Sequence, residues 1–201
     1  MASVTISPKD VSELRSRTGA GMMDCKRALE EAGGDMDKAG EILRKKGIAK
    51  AEKRAGRSAS QGVVISYIHH NQQVGVLLEL NSETDFVART EAFQQLARDI
   101  ALHIASADPI GVSAEDVPAE LVERERRIAE EQVTQEGKPE AVRAKIVDGK
   151  VKKFIAERTL LEQPYVRDDK KTVGDLVKEA SGKLGEAVTV RRFARFQVGA
   201  V

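Results

Sequence analysis

Tryptophan is missing from this 201-residue chain, and cysteine occurs once. Cys25 has no partner for an internal disulfide, and no CxxC or Cys/His cluster offers metal-ligand spacing. A disulfide scaffold and a zinc module are therefore excluded, and a reducing compartment is expected. Aromatic residues make up only 3%, and the longest apolar runs fall far short of the ~20 residues that a membrane-spanning helix needs. Net charge is scarce as well. Lys plus Arg (33) nearly cancels Asp plus Glu (32), which argues against a general nucleic-acid binder relying on many unpaired cations. GxxxxGK[ST], GxGxxG and GxSxG do not occur, so phosphate-cradling loops and nucleophile elbows have no foothold. His69 and His70 are adjacent, and neighbours on a strand face opposite ways, so the pair cannot jointly grip a metal. The segment MASVTISPKD carries neither a secretory nor a transit pattern, and the expectation is a soluble cytoplasmic protein. The carboxylates are scattered over charged faces, and nothing converges as an active site would. A binding protein without a cofactor is expected, not an enzyme.

What is present is a 41% hydrophobic complement, enough for a core, and a 32% charged one, which suits a large solvated helical surface. Residues 1–56 read as a three-helix unit. Ser7-Pro8 opens the first helix, Thr18 to Gly21 breaks it, and the second runs from Met23 to Ala32. Asp35 caps the third, which ends near Gly47. A small-residue linker continues to about residue 62. Val63–His69 and Val74–Leu80 then read as a β-hairpin around the turn 70–73. A helix to about Ser106 follows, with Phe93, Leu96, Ala97, Ile100, Ala101 and Ile104 on one face. Residues 118–162 predict an antiparallel pair of charged helices around Gly137–Pro139. Their thin seam is Leu121 with Ile128, and Val122 with Ala129 and Val133. Thr172-Val173 opens a short helix through Ala180, and Val188–Val198 alternates as a third strand. Residues 63–117 and 163–201 thus form an antiparallel-sheet core with packed helices, an α+β fold with the hairpin inserted.

Two segments carry more than structure requires. In LRSRTGAGMMDCK, Met22 and Met23 cannot both face so small a core, so one is expected at the surface, where a flexible thioether suits a partner. In NSETDFVA, Phe86 sits beside Asp85 where a strand becomes a helix. An exposed tip would make the ring a wedge for a partner pocket. Phe86 also lies seven residues before Phe93, and periodicity alone favours both rings in the core.

These segments resemble the elongation factor Ts family, the guanine-nucleotide exchange factors for elongation factor Tu. LRSRTGAGMMDCKRALEEAGGD and ELNSETDFVA match its signatures. KAEKRAG, SYIH, GVLLEL, EQPYVRDDKKTV and VRRFARFQVG extend the likeness over nearly the whole chain. The length resembles the family's short form, which implies a homodimer through the core domain. The resemblance also implies that the N-terminal unit is a ubiquitin-associated-type module, with Arg15, Met22, Met23 and Lys26 at contact positions. Thr84, Asp85, Phe86 and Val87 align with the segment that displaces the partner's Mg²⁺, and His69, Leu184 and Gly185 align with further contacts. The GDP, GTP and Mg²⁺ involved belong to the partner, and neither nucleic acid nor membrane is implied. Two departures stand out: Arg57 to Gly62 lacks the acidic residue common before this glycine, and Gly199-Ala200-Val201 replaces the usual Gly-Glu-Gly with its tail. The alternatives are an adaptor built on the ubiquitin-associated-like unit, and an RNA-associated accessory using Lys50, Lys53, Arg54, Arg57, Arg191 and Arg192.

Overall fold

A computed structural model describes residues 6–200; Met1–Thr5 of the segment read for targeting signals, and Val201, lie outside the described residues. Helix α1 (Pro8–Thr18) begins at Ser7, whose hydroxyl accepts the Asp10 N–H at 3.1 Å. The Asp10 carboxylate reaches back to the Ser7 amide. This reciprocal cap satisfies two otherwise unpaired donors, and Pro8 sits where no donor is needed. Helices α2 (Met22–Glu31) and α3 (Met36–Glu52) follow, the latter capped by Asp35. Val11, Leu14, Cys25, Ala28, Leu29 and Ala39 close a small core among the three helices. Cys25 is fully buried there, its thiol 3.7 Å from the Ala20 carbonyl, so it packs and is not an accessible nucleophile.

Helix α3 does not stop at Gly47 as expected but continues to Glu52, and the reason is tertiary. Gly47 abuts Gly182 on helix α8 (Val173–Leu184). A Cβ on Gly182 would lie only 2.7 Å from the Gly47 carbonyl oxygen. With no Cβ, Gly182 lets the two helix backbones touch, and that packing offsets the ~1 kcal/mol that glycine costs inside a helix. Arg44 pairs with Glu179, and Arg54 donates to the Ser181 carbonyl at 3.3 Å, so the helical unit is fastened onto α8. Helix α8 likewise runs past its expected end at Ala180 to Leu184.

The central sheet has the order β1-β2-β5, all antiparallel, from β1 (Gln61–Ile68), β2 (Val74–Ser82) and β5 (Val188–Gln197). Val76, Leu78, Leu80, Val188 and Val190 face the core, where helix α5 (Glu91–Ala107) and α8 cover them. The alternation of β5 changes phase at Arg191-Arg192, and the ladder shows a register shift at that point. The extra residue keeps both Val190 and Phe193 on the core side.

Helices α6 (Ala119–Gln135) and α7 (Glu140–Arg158) form the charged hairpin. Its seam is Ala129 and Val133 against Val147 and Val151, with Val122, Ile146 and Ile155 at its margins. The expected Leu121–Ile128 pairing is not part of it, and Ile128 is exposed. Two helices in contact bury one narrow stripe, and the 122/129/133 row takes it. A two-stranded ribbon, β3 (Pro164–Tyr165) with β4 (Asp168–Thr172), was not expected among three strands. It is too short and too charged to show alternation.

His103 on α5 is fully buried. Its Nδ1 accepts the Val166 N–H at 3.3 Å, so Nε2 carries the proton and donates to Gln163 Oε1 at 2.9 Å. Burial pushes the imidazole pKa below its ordinary value, and the Gln163 bond opposes this only in part. The unfolded chain then takes up a proton near pH 6.5 that the folded protein excludes. The neutral imidazole's contribution to stability is complete above that pH. It declines as pH falls below it, by at most about 1.4 kcal/mol per pH unit. Thermal melts at pH 7 and pH 5 should show a smaller difference for His103→Gln than for the parent; equal differences would assign the acid sensitivity elsewhere.

Candidate partner-binding surface

Strand β2 ends at Ser82, whose buried hydroxyl donates to the Thr84 carbonyl at 2.9 Å. Thr84 is extended and caps the four-residue helix α4 (Asp85–Ala88), its hydroxyl oxygen accepting the Val87 N–H. Thr90 is again extended and caps α5. This interruption decides where Phe86 goes. Seven-residue spacing puts two rings on one face only if the helix between them is continuous, and here it is not. Phe93 is fully buried, whereas Phe86 is 81% exposed, so the core placement favoured by periodicity is overturned. Ala88 is buried and Val87 packs against the core, which anchors the turn from its C-terminal end and leaves the ring outside. Asp85 pairs with Arg89 at 2.8 Å beside it.

Two acids, Glu186 and Glu83, with Arg57, hold this corner, and sequence reasoning assigned none of them to it. Glu186, in the loop between α8 and β5, accepts the Thr84 N–H at 3.0 Å and the Thr84 hydroxyl proton at 2.6 Å. Glu83 accepts the Ala187 N–H at 2.7 Å and pairs with Arg57 at 3.4 Å. The only sequence signal was an acid directly after the glycine of KLGEA. Leu184 and Gly185 are thereby joined to the Thr84–Val87 turn. Gly185 adopts the left-handed conformation that caps α8, and Leu184 is half-buried against the core.

His69 lies elsewhere. Gln61 pairs with Ser82 at the Phe86 end of the hairpin, and Ile68 pairs with Gly75 at the other. At about 3.3 Å per residue, His69 is roughly 25 Å from the Thr84 turn along the strand. Its Nδ1 lies 3.0 Å from the Tyr67 hydroxyl. Within one chain these candidates do not form a single site.

On the three-helix unit, Met22 and Met23 are both exposed, at 47% and 62%, where one was expected. Gly21 begins α2 without a side-chain cap, and Ala28, Leu29 and Cys25 occupy the face that packs inward. Arg15 on α1 and Lys26 on α2 are exposed too. Lys50 and Arg27 beside Asp24 hold its carboxyl below the usual range, and the Lys50–Asp24 pair ties α2 to α3. Among the described residues, no helix is long and apolar enough to cross a membrane, and no group of three or more His, Cys, Asp or Glu could hold a metal ion.

The family model described as "Elongation factor TS" matches residues 5–200. Among curated relatives, an elongation factor Ts of Thermosipho melanesiensis is 55% identical over 96% of this chain and 99% of its own. One of Fervidobacterium nodosum is 54% identical over 96% and 98%. One of Carboxydothermus hydrogenoformans is 56% identical over 96% and 89%. The matches span the three-helix unit, the corner and the sheet alike, which an adaptor confined to the helical unit leaves unexplained. The chain belongs to the elongation factor Ts family.

Proposed function

We propose that this protein binds elongation factor Tu·GDP in the cytoplasm and promotes release of GDP, so that GTP can replace it. The observation that carries the reading is the exposed Phe86 ring on a one-turn helix, seven residues from a ring that the same fold buries completely. Leaving a phenylalanine in water forgoes about 1.5–3 kcal/mol of burial, which a bound partner would recover. Exchange requires no bond-making. The partner's Mg²⁺ offsets the charge of the diphosphate. A ring wedged between the partner's elements, with Asp85 beside it, shifts the region that holds the ion and leaves the phosphates less compensated. Thr84 and Val87 set the angle of that wedge. A coupling of ~1–3 kcal/mol per linked contact weakens nucleotide affinity strongly when several act together, and by reciprocity incoming GTP weakens the hold of this protein.

Docking affinity is assigned to Arg15, Met22, Met23 and Lys26 on the module of residues 1–56, with Leu184, Gly185 and His69 as further contacts. The test loads elongation factor Tu with a fluorescent GDP and times its loss against increasing concentrations of this protein. Saturable acceleration is expected, and an unchanged release rate would refute the reading. The half-saturating concentration should rise in a variant with both Met22→Ser and Met23→Ser; an unmoved value would remove the docking role.

The outer face of the sheet supports a homodimer. Val64, Ile68, Leu77 and Phe196 all project from it exposed, around the Glu79–Arg192 pair. Such a contiguous apolar face is rare on a monomer, and the distance between His69 and Phe86 leaves one chain short of a joint site. Phe196→Asp is expected to sediment as a monomer at concentrations where the parent sediments as a dimer, and identical profiles would exclude this face.

A further inference from the structure

Helix α4 is one turn long, and a single turn does not hold itself: nucleation fixes several dihedrals for one hydrogen bond. The conformation that exposes Phe86 must therefore be imposed from outside the turn. Every backbone and side-chain polar group of Thr84 is engaged. Its N–H and hydroxyl proton go to Glu186, its hydroxyl oxygen accepts the Val87 N–H, and its carbonyl accepts from Ser82. Glu186 thus supplies both bonds that cross from a distant part of the chain, 102 positions away. Its own backbone carbonyl accepts the Ser181 hydroxyl at 2.6 Å, and the Ser181 carbonyl accepts from Arg54 in the turn just after α3. Glu83, paired with Arg57 and with the Ala187 amide, brackets the same loop from the other side.

We infer that Glu186 is a positioning residue for the exchange reaction: its carboxylate clamps Thr84 and so holds the Phe86 turn in the one orientation that can enter the partner. It touches neither nucleotide nor ion and acts only through Phe86. The chain Arg54–Ser181–Glu186–Thr84 then runs from the foot of the N-terminal module to the wedge, so the docking surface and the displacing turn are held in one frame. This inference rests on the exchange reading proposed above.

The loss of two bonds to an ionised acceptor sets the size of the effect. With full-length protein and the fluorescent-GDP assay, Glu186→Ala should lower the maximal rate of stimulated release about tenfold and leave the half-saturating concentration within about threefold. Glu186→Gln, which keeps one acceptor oxygen, should fall between it and the parent. Combining Glu186→Ala with Phe86→Ala should be no slower than Phe86→Ala alone, because a clamp without its ring has nothing left to position. In the free protein, the Thr84 amide should exchange its hydrogen at least tenfold faster in Glu186→Ala, a readout that needs no partner. A parental maximal rate in Glu186→Ala, or additive losses in the double variant, would overturn the inference. If Glu186→Ala does not fold, Glu186→Gln decides by the same two measures. If the parent itself fails to accelerate release, the exchange reading falls, and the amide-exchange result still reports whether Glu186 clamps the turn.

Discussion

Phe86→Ala is expected to abolish most of the stimulated GDP release and leave the thermal midpoint of the free protein unchanged. The ring makes no contribution to the core, since it stands 81% exposed while Val87 and Ala88 anchor the turn that bears it. Removing it therefore opens no cavity. Truncating a central aromatic anchor at an interface costs about 2–4 kcal/mol, and 2 kcal/mol is already about a thirtyfold change in rate. The measurement is the plateau of the release rate at saturating protein, beside a melting curve of the same sample. A plateau equal to that of the parent would remove Phe86 from the mechanism. A large drop in melting temperature would mean that the ring has a structural role that its exposure denies.

Phe93→Ala should give the opposite pattern. Phe93 lies at the centre of the main cluster with Leu78, Leu80, Leu96, Ile100 and Ile104, none of its surface exposed. Deleting a buried ring costs about 3–5 kcal/mol, from lost transfer energy and the cavity left behind. Against a total stability of about 5–15 kcal/mol, that is about a fifth of the margin or more. Chemical denaturation should show a lower midpoint with little change in slope, and the folded fraction should still dock and exchange. A midpoint within about 1 kcal/mol of the parent would mean the core collapses around the gap. Together the two variants separate interface from core with the same substitution seven residues apart.

Much of this architecture is written into local residues. Ser7, Asp35 and Thr172 mark helix starts by capping chemistry that operates over three or four residues, and each marks one in the structure. The three long strands show themselves by alternation, whereas the register shift at Arg191-Arg192 emerges only in the ladder. The helix ends were less legible. α3 outruns Gly47 because Gly182 lies against it, and α8 outruns Ala180 because the loop through Glu186 is pinned at the corner. Neither partner is near in sequence, so no local signal could report it. Ile128 misled for a similar reason: its spacing from Leu121 is as good as that of Val122 from Ala129, and only the position of α7 selects between the two rows.

The motif around Asp85-Phe86 shows the division most sharply. By itself the chain specified an α+β protein, the places where most of its helices begin, the inward faces of its three long strands, and the signature segments of its family. Those follow from periods and caps that act over a few residues. The side of the molecule to which Phe86 points was settled only in three dimensions. A seven-residue interval has meaning only within an unbroken helix; here α4 ends at Ala88, extended Thr90 starts α5 afresh, and the packing of Val87 and Ala88 against the core leaves the ring outside.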